Sequence, residues 1–228
     1  MDEEVILEVI EVEPLAEYRG TVLWLHGLGA DGQDFLGMIN MLGLPEDHGL
    51  RFVFPSAPLR PITVNGGMVM RGWFDILDVR FNSREDEEGI RLSSQWIADL
   101  LHRELMLNSC SSENILLAGF SQGGALALHF GLRSVLPLAG VIALSTYQTF
   151  PNLLDEEISV EGTKTPIFMG HGLFDPIVPL HHGEDAKKQL LGHGCNVQWH
   201  SYPIQHSVCD EEISHVSLFI HDVFKLAG

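Results

Sequence analysis

Short apolar runs punctuate the chain at intervals: VILEVIEV, TVLWLHG, RFVFP, NILLAGF, GVIALS, PIFMGH and NVQWHSY. Their β-branched and aliphatic content predicts strands, and their near-continuous hydrophobicity suits strands covered on both faces, as in a parallel sheet. Longer segments of helical period separate them. EEGIRLSSQWIADLLHREL puts Ile90, Ile97, Leu101 and Leu105 on one helical face. The last segment repeats the pattern with Ile213, Val216, Ile220 and Val223, after Asp210, Glu211 and Glu212, which suit a helix N-terminus. The alternation predicts an α/β fold, a mostly parallel central sheet with helices on both faces. No repeat, low-complexity tract or Pro/Ser-rich linker divides the chain, so residues 1–228 read as a single domain.

One stretch fits neither period. RPITVNGGMVMRGWFDI, residues 60–76, carries Gly66-Gly67, two methionines and Trp73, and reads as a functional loop or lid. Trp73, Phe74, Met68, Met70 and Ile76 are its candidates for an apolar substrate-binding wall, with the glycine pair as a hinge. The competing reading has Trp73 and Phe74 plugging the core.

Charge narrows the classes of partner. With 31 acidic against 13 basic side chains the formal charge is −18, which repels phosphate backbones and anionic headgroups, so no nucleic-acid partner is expected. The start, MDEEVILEVIEVEP, lacks the basic flank and uninterrupted apolar core of a signal peptide, and no run reaches spanning length. A cytoplasmic protein with no transmembrane anchor is expected. Any transient membrane contact would have to be apolar rather than electrostatic. Three scattered cysteines, Cys110, Cys195 and Cys209, do not form a disulfide framework.

The chemistry concentrates in GFSQGG, which matches Gly-x-Ser-x-Gly at Gly119, Ser121 and Gly123 between a predicted strand and a predicted helix. That turn lifts a serine clear of a sheet, and small residues on either side avoid collision. A neutral hydroxyl is a weak nucleophile, so the reading requires a histidine base and an acid to orient it, in the order Ser, Asp/Glu, His. Asp175, in HGLFDPIVP, follows a strand; its ordinary reading is a turn residue before Pro176. Among the histidines downstream, His181 and His182 follow the acid too soon, His193 and His200 precede or lie within the last strand, and His215 and His221 fall on the closing helix. His206 alone occupies the loop between that strand and that helix. The adjacent pair His181-His182 matches no metal-ligand spacing, and neither a metal nor another cofactor is expected. For the oxyanion, the Gly27-Leu28-Gly29 turn in HGLGADGQDF can aim one backbone N–H and Gln122 another.

Taken together, LHGLGADGQDF, FPSAPLRPITVNGGMVMRGWFDI, GFSQGGALAL, HGLFDPIVP and YPIQHSVC resemble the phospholipase/carboxylesterase family of α/β-hydrolases, which includes the acyl-protein thioesterases. The resemblance runs from about Thr21 to the closing helix. It implies the α/β-hydrolase fold, Ser121, Asp175 and His206 as catalytic triad, the Leu28 and Gln122 amides as oxyanion hole, and residues 60–76 as a mobile substrate loop. Substrates it implies are small-molecule or lipid esters and thioesters, acylated proteins among them, and pairing into a homodimer is an assembly it suggests. The MVMRGWFDI form of the loop resembles bacterial carboxylesterase members more than animal depalmitoylating enzymes. Ile204-Gln205 replaces the small residue many relatives have before the histidine.

The expected reaction is attack of Ser121 on an ester or thioester carbonyl with His206 as base, an acyl-enzyme, and its hydrolysis. Rate should fall in acid, because a protonated imidazole cannot accept the serine proton. Rival readings are a lysophospholipase, a peptidase, a thiol hydrolase using Cys209, and a non-catalytic binding protein on the same scaffold.

Overall fold

The structure, a computed structural model, describes residues 6–226 except 79, 82 and 83. Strands β1 (Glu8–Val12), β2 (Gly20–Leu25) and β3 (Leu50–Ser56) come first, with helix α1 (Met38–Met41) before β3; β4 (Leu59–Ile62) and β5 (Met68–Arg71) follow. Helix α2 (Glu87–Asn108) leads to β6 (Ile115–Phe120), α3 (Gln122–Arg133) and β7 (Gly140–Leu144). Short helices α4 (Leu154–Glu157) and α5 (Val160–Lys164) precede β8 (Ile167–Gly172), α6 (Leu180–Gly192), β9 (Val197–Tyr202) and α7 (Asp210–Phe224).

All seven apolar runs become strands of one sheet, in the order β1-β3-β2-β6-β7-β8-β9. Within that sheet, among the described residues, only the β1–β3 pair is antiparallel. The first strand is shorter than its run, and Val5 lies outside the described residues. Successive side chains of a strand face opposite sides. Leu23 and Leu25 therefore enter one core with Ile97, Leu101 and Leu126, while Val22 and Trp24 enter the other with Val216, Phe219 and Ile220. The sheet is thus covered on both faces, the layered α/β architecture the alternation predicts. Leu25 and Gly119 are register partners, so β2 and β6 end side by side, and the loops that follow them open at the same sheet edge.

Burial sets the helices too. In α2 the expected face holds: Ile90, Ile97 and Leu101 are buried and Leu105 packs against the core. Asp86 caps its start by accepting the Gly89 N–H at 3.0 Å. In α7 the three acidic residues occupy the first turn, as their order predicts, and one of them is enclosed. Glu212 is fully buried three residues after the cap position Cys209, with its carboxyl on the side of the Cys209 amide. Burial pushes its carboxyl up to about 8, an effect the Cys209 amide offsets only in part. A folded-state pKa raised above the unfolded value contributes stability below the ordinary carboxylate range that is lost as pH rises through about 8. Glu212→Gln keeps the shape without the titration. Its Tm should hold level over that window, where wild-type Tm declines.

The segment 60–76 is not an irregular loop. Its first part is the hairpin β4–β5, with Ile62 opposite Met68 and Gly66 and Gly67 at positive φ in the tip turn. Glycine supplies those φ values without the penalty a side chain would meet. Because the pair sits at the tip and not at the base, it is not placed to act as the expected hinge.

Candidate active site

Ser121 sits between β6 and α3 with φ 54° and ψ −118°, a backbone conformation strained for any residue with a side chain. The turn is tight enough that a Cβ on Gly119 would lie 2.3 Å from the Gly123 backbone, and one on Gly123 would lie 2.3 Å from the Leu25 carbonyl oxygen. No side chain fits at either position. The Ser121 N–H donates to Leu144 O at 2.8 Å, and its carbonyl accepts from Thr146 Oγ1 at 2.7 Å. These bonds hold the strained residue from both sides.

Asp175 and His206 come from the loops after β8 and β9. Leu173 N–H donates to Tyr202 O at 2.8 Å and Phe174 N–H to Ile204 O at 3.0 Å, so the two loops are laced together by backbone. Ile204 thus enters through its carbonyl, which makes the bulk of its side chain immaterial to the bond. His206 Nδ1 lies 2.6 Å from Asp175 Oδ2, and His206 Nε2 lies 3.0 Å from Ser121 Oγ. A carboxylate on Nδ1 fixes the tautomer: the proton sits there and Nε2 is free to accept from the serine. The other Asp175 oxygen accepts the Ile177 and Val178 amides, both at 2.8 Å. Burial alone would raise the Asp175 carboxyl; the hydrogen bonds from His206, Val178 and Ile177 and the adjacent imidazole outweigh it and hold it below its ordinary value. Its side chain is wholly enclosed while that of His206 keeps 16% exposure, so the acid is sheltered and the base faces the site mouth. Phe120 lies against the imidazole, ring centroids 4.8 Å apart.

The loop after β2 closes the opposite side. A Cβ on Gly27 would stand 3.4 Å from the Ser121 Cβ, so this turn abuts the serine directly. Among the described residues, no group accepts from the Leu28 or the Gln122 N–H. Gln122 N also opens α3, where the helix dipole adds positive potential.

His26, outside the sequence-derived set, and the side chain of Gln122, read from sequence only for its backbone N–H, brace this region. His26 is buried between β2 and β3; its Nε2 accepts from Ala57 N at 2.9 Å, so Nδ1 carries the proton and donates to Gly27 O at 2.7 Å. Burial lowers its pKa and keeps it neutral. The Gln122 side chain makes a second brace: Oε1 accepts from Trp73 N at 2.9 Å and Nε2 donates to Phe74 O at 2.7 Å. Neither brace is legible as a motif, because the bonds to Ala57, Trp73 and Phe74 span 31 to 49 positions.

The substrate-wall residues divide. Trp73 and Phe74 are buried in the core at 0% and 2% exposure, which favours the competing reading, a core plug, over an open wall. Trp73 Nε1 donates to His26 O at 2.9 Å, its N–H donates to Gln122, and its carbonyl accepts from Ser93 Oγ. It is a strut joining the loop after β2, the start of α3 and α2. Met68 is exposed, and Met70 and Ile76 are half-buried. Met70 lies beside the turn after β2, its sulfur 3.7 Å from where a Cβ on Gly29 would be, and Gly29 N–H donates to Arg71 O at 2.8 Å. The hairpin is therefore attached to that turn by its second strand.

This strut has a measurable consequence. Trp73→Ala should lower stability by about 3–5 kcal/mol, the range for removing a large buried aromatic. Gln122→Ala leaves two buried backbone groups without partners, at about 1–3 kcal/mol each. Denaturant unfolding of both variants checks this; a folded Trp73→Ala protein of wild-type stability with altered chain-length preference would restore the wall reading.

Cys209 is half-buried at the start of α7, and both nitrogens of His206 are engaged elsewhere. Among the described residues, no group of three or more His, Cys, Asp or Glu is placed to hold a metal ion, and no helix is long and apolar enough to cross a membrane.

A strained serine at a strand-to-helix turn, with a histidine and an aspartate from later loops at the same sheet edge, defines an α/β-hydrolase. The model of the phospholipase/carboxylesterase family matches residues 7–224, and the chain belongs to that family of hydrolases. It is 35% identical over 216 residues to acyl-protein thioesterase 1 of Gibberella zeae, covering 90% of this chain and 91% of the relative. Among solved structures it resembles Arabidopsis thaliana SOBER1, with 30% identity and a TM-score of 0.83 over 90% of this chain and 98% of that one. It also resembles acyl-protein thioesterase 2 of Zea mays, with 26% identity and a TM-score of 0.84 over 95% and 99% of the two chains.

Proposed function

We propose that this chain hydrolyses carboxylic esters and thioesters through an acyl-enzyme on Ser121, with His206 as general base and acid and Asp175 as its orienting carboxylate. The observation that carries the reading is the continuous line from Asp175 Oδ2 through His206 to Ser121 Oγ, at 2.6 and 3.0 Å, on a serine held in a strained turn. His206 Nε2 takes the serine proton as Oγ attacks the carbonyl carbon. The tetrahedral oxyanion is received by the Leu28 and Gln122 amides, donors that cost no reorganisation as charge develops. His206 then returns the proton to the departing alcohol or thiol, and water repeats the sequence to free the acid.

Family membership and the similarity to acyl-protein thioesterase 1 support ester and thioester carbonyls alike. Met70, beside the turn after β2, and Leu28, on that turn, are the side chains we assign to the acyl portion. The test is a chain-length panel of matched esters and thioesters, run on wild type and Ser121→Ala side by side with fluorophosphonate labelling. Labelling at Ser121 with activity toward both series supports the reading; turnover by the alanine protein, or labelling elsewhere, refutes it.

A further inference from the structure

His206 lines a groove of about 440 Å³ to which no residue of the hairpin contributes. That is within the range of small-molecule sites, whereas the cavity beside Glu85 and Tyr147, at about 10 Å³, holds one water at most. The floor is apolar: Phe35, Met38, Phe120 and Ile213 come from the segment after β2, from β6 and from α7. Met41 and Val208 form its sides, and His206 is part of its wall. Two exposed carboxylates, Asp34 and Asp210, stand at its rim. Neither has an ion-pair partner among the described residues, and no lysine or arginine lines the groove.

We propose that this groove receives the leaving group of the substrate and selects alcohols or thiols that carry an apolar body and a cationic end. The inference rests on the proposed serine mechanism. In that mechanism the Ser121 Oγ–acyl bond forms and the bond from the carbonyl carbon to the departing oxygen or sulfur breaks. The proton on His206 Nε2 passes to that departing atom, which must therefore lie against the imidazole. Met70 of the hairpin stands beside the turn that carries the Leu28 amide, whereas His206 lines the groove, so the acyl portion is assigned to the hairpin side and the leaving group to the groove. Apolar walls remove the body of that group from water. Unpaired carboxylates on a chain of net charge −18 favour a cation at the rim and disfavour an anion.

The decisive probe is a pair of isosteres: the choline ester and the 3,3-dimethylbutyl ester of one short acid, which differ by a charged nitrogen in place of carbon. Wild type should favour the choline ester in kcat/KM by roughly five-fold at low salt, the scale of two partly screened charge contacts, with the ratio shrinking as salt rises. Asp34→Asn with Asp210→Asn should bring the ratio to near one. Narrowing the groove with Met41→Trp should cost both bulky esters about tenfold relative to the methyl ester of the same acid. Gly37→Phe is a second narrowing variant, since a Cβ there meets nothing within 4 Å. A ratio of one in wild type, a ratio that survives the double substitution, or narrowing that shifts acyl-length preference with methanol as the fixed leaving group would overturn the proposal. Failure of the serine mechanism shows separately, as methyl-ester turnover that survives Ser121→Ala.

Discussion

Ser121→Ala is expected to lower kcat on a short ester by about 10⁶-fold while leaving the fold intact, the scale seen when a serine nucleophile is removed from such a unit. The size follows from the geometry. His206 Nε2 has one partner on the reacting side, Ser121 Oγ, and without it the imidazole can only activate water that nothing positions. The residual rate would come from the Leu28 and Gln122 amides and from substrate binding. Folding should survive, because the elbow is held by backbone bonds from Ser121 N to Leu144 and from Thr146 to Ser121 O, which alanine retains. Steady-state kinetics with a thermal melt checks both halves; a loss below a hundredfold would place the nucleophile elsewhere.

Asp175→Asn should cost about 10⁴-fold in kcat, and the reason is which way the amide must face. In wild type Oδ1 accepts two amide donors, Ile177 N and Val178 N, and Oδ2 accepts from His206 Nδ1. An asparagine oxygen satisfies the two amides best, which turns its NH₂ group toward Nδ1. His206 must then accept at Nδ1 and carry its proton on Nε2, where it can no longer take one from Ser121. The substitution thus leaves the residues in place and inverts the tautomer. The carboxyl itself, held below its ordinary value, contributes stability above the ordinary carboxylate range and loses it only as pH falls through the depressed value. Near neutrality the aspartate is ionised, so the kinetic loss belongs to the missing charge and the wrong tautomer. An asparagine variant within tenfold of wild type would remove Asp175 from the mechanism.

The sheet was legible because its signal is local. Each apolar run carries its own evidence for burial on two faces, and the order of strands and helices then leaves few topologies. Ser121, Asp175 and His206 were legible for a related reason: each sits at a strand end in a motif of its own, and parallel strands bring such ends to one edge. The hairpin β4–β5 was not read as strands, although Gly66-Gly67 is a turn signal. Met68 and Val69 are exposed and Pro61 interrupts β4, so no alternation marks it. Trp73 carries two readings in the sequence because a tryptophan among glycines and methionines looks as much like a binding surface as a core residue. Its burial depends on partners at 26, 93 and 122 that only the folded chain brings together. The same distance in sequence hid the Gln122 side chain, whose two bonds to the Trp73–Phe74 backbone tie the nucleophile turn to that strut. Glu212 shows the limit of charge patterns: three acidic residues mark the start of a helix, and their order does not tell which of them is enclosed.

The central claim is covalent: the acyl group passes through Ser121. Acid-quenching the protein during turnover of a thioester and digesting it for mass spectrometry tests this directly. The account predicts a peptide containing Gly119–Phe120–Ser121 heavier by one acyl group, with the label absent from Ser121→Ala. An acyl group on Cys209 or on no residue, with turnover intact, would contradict it.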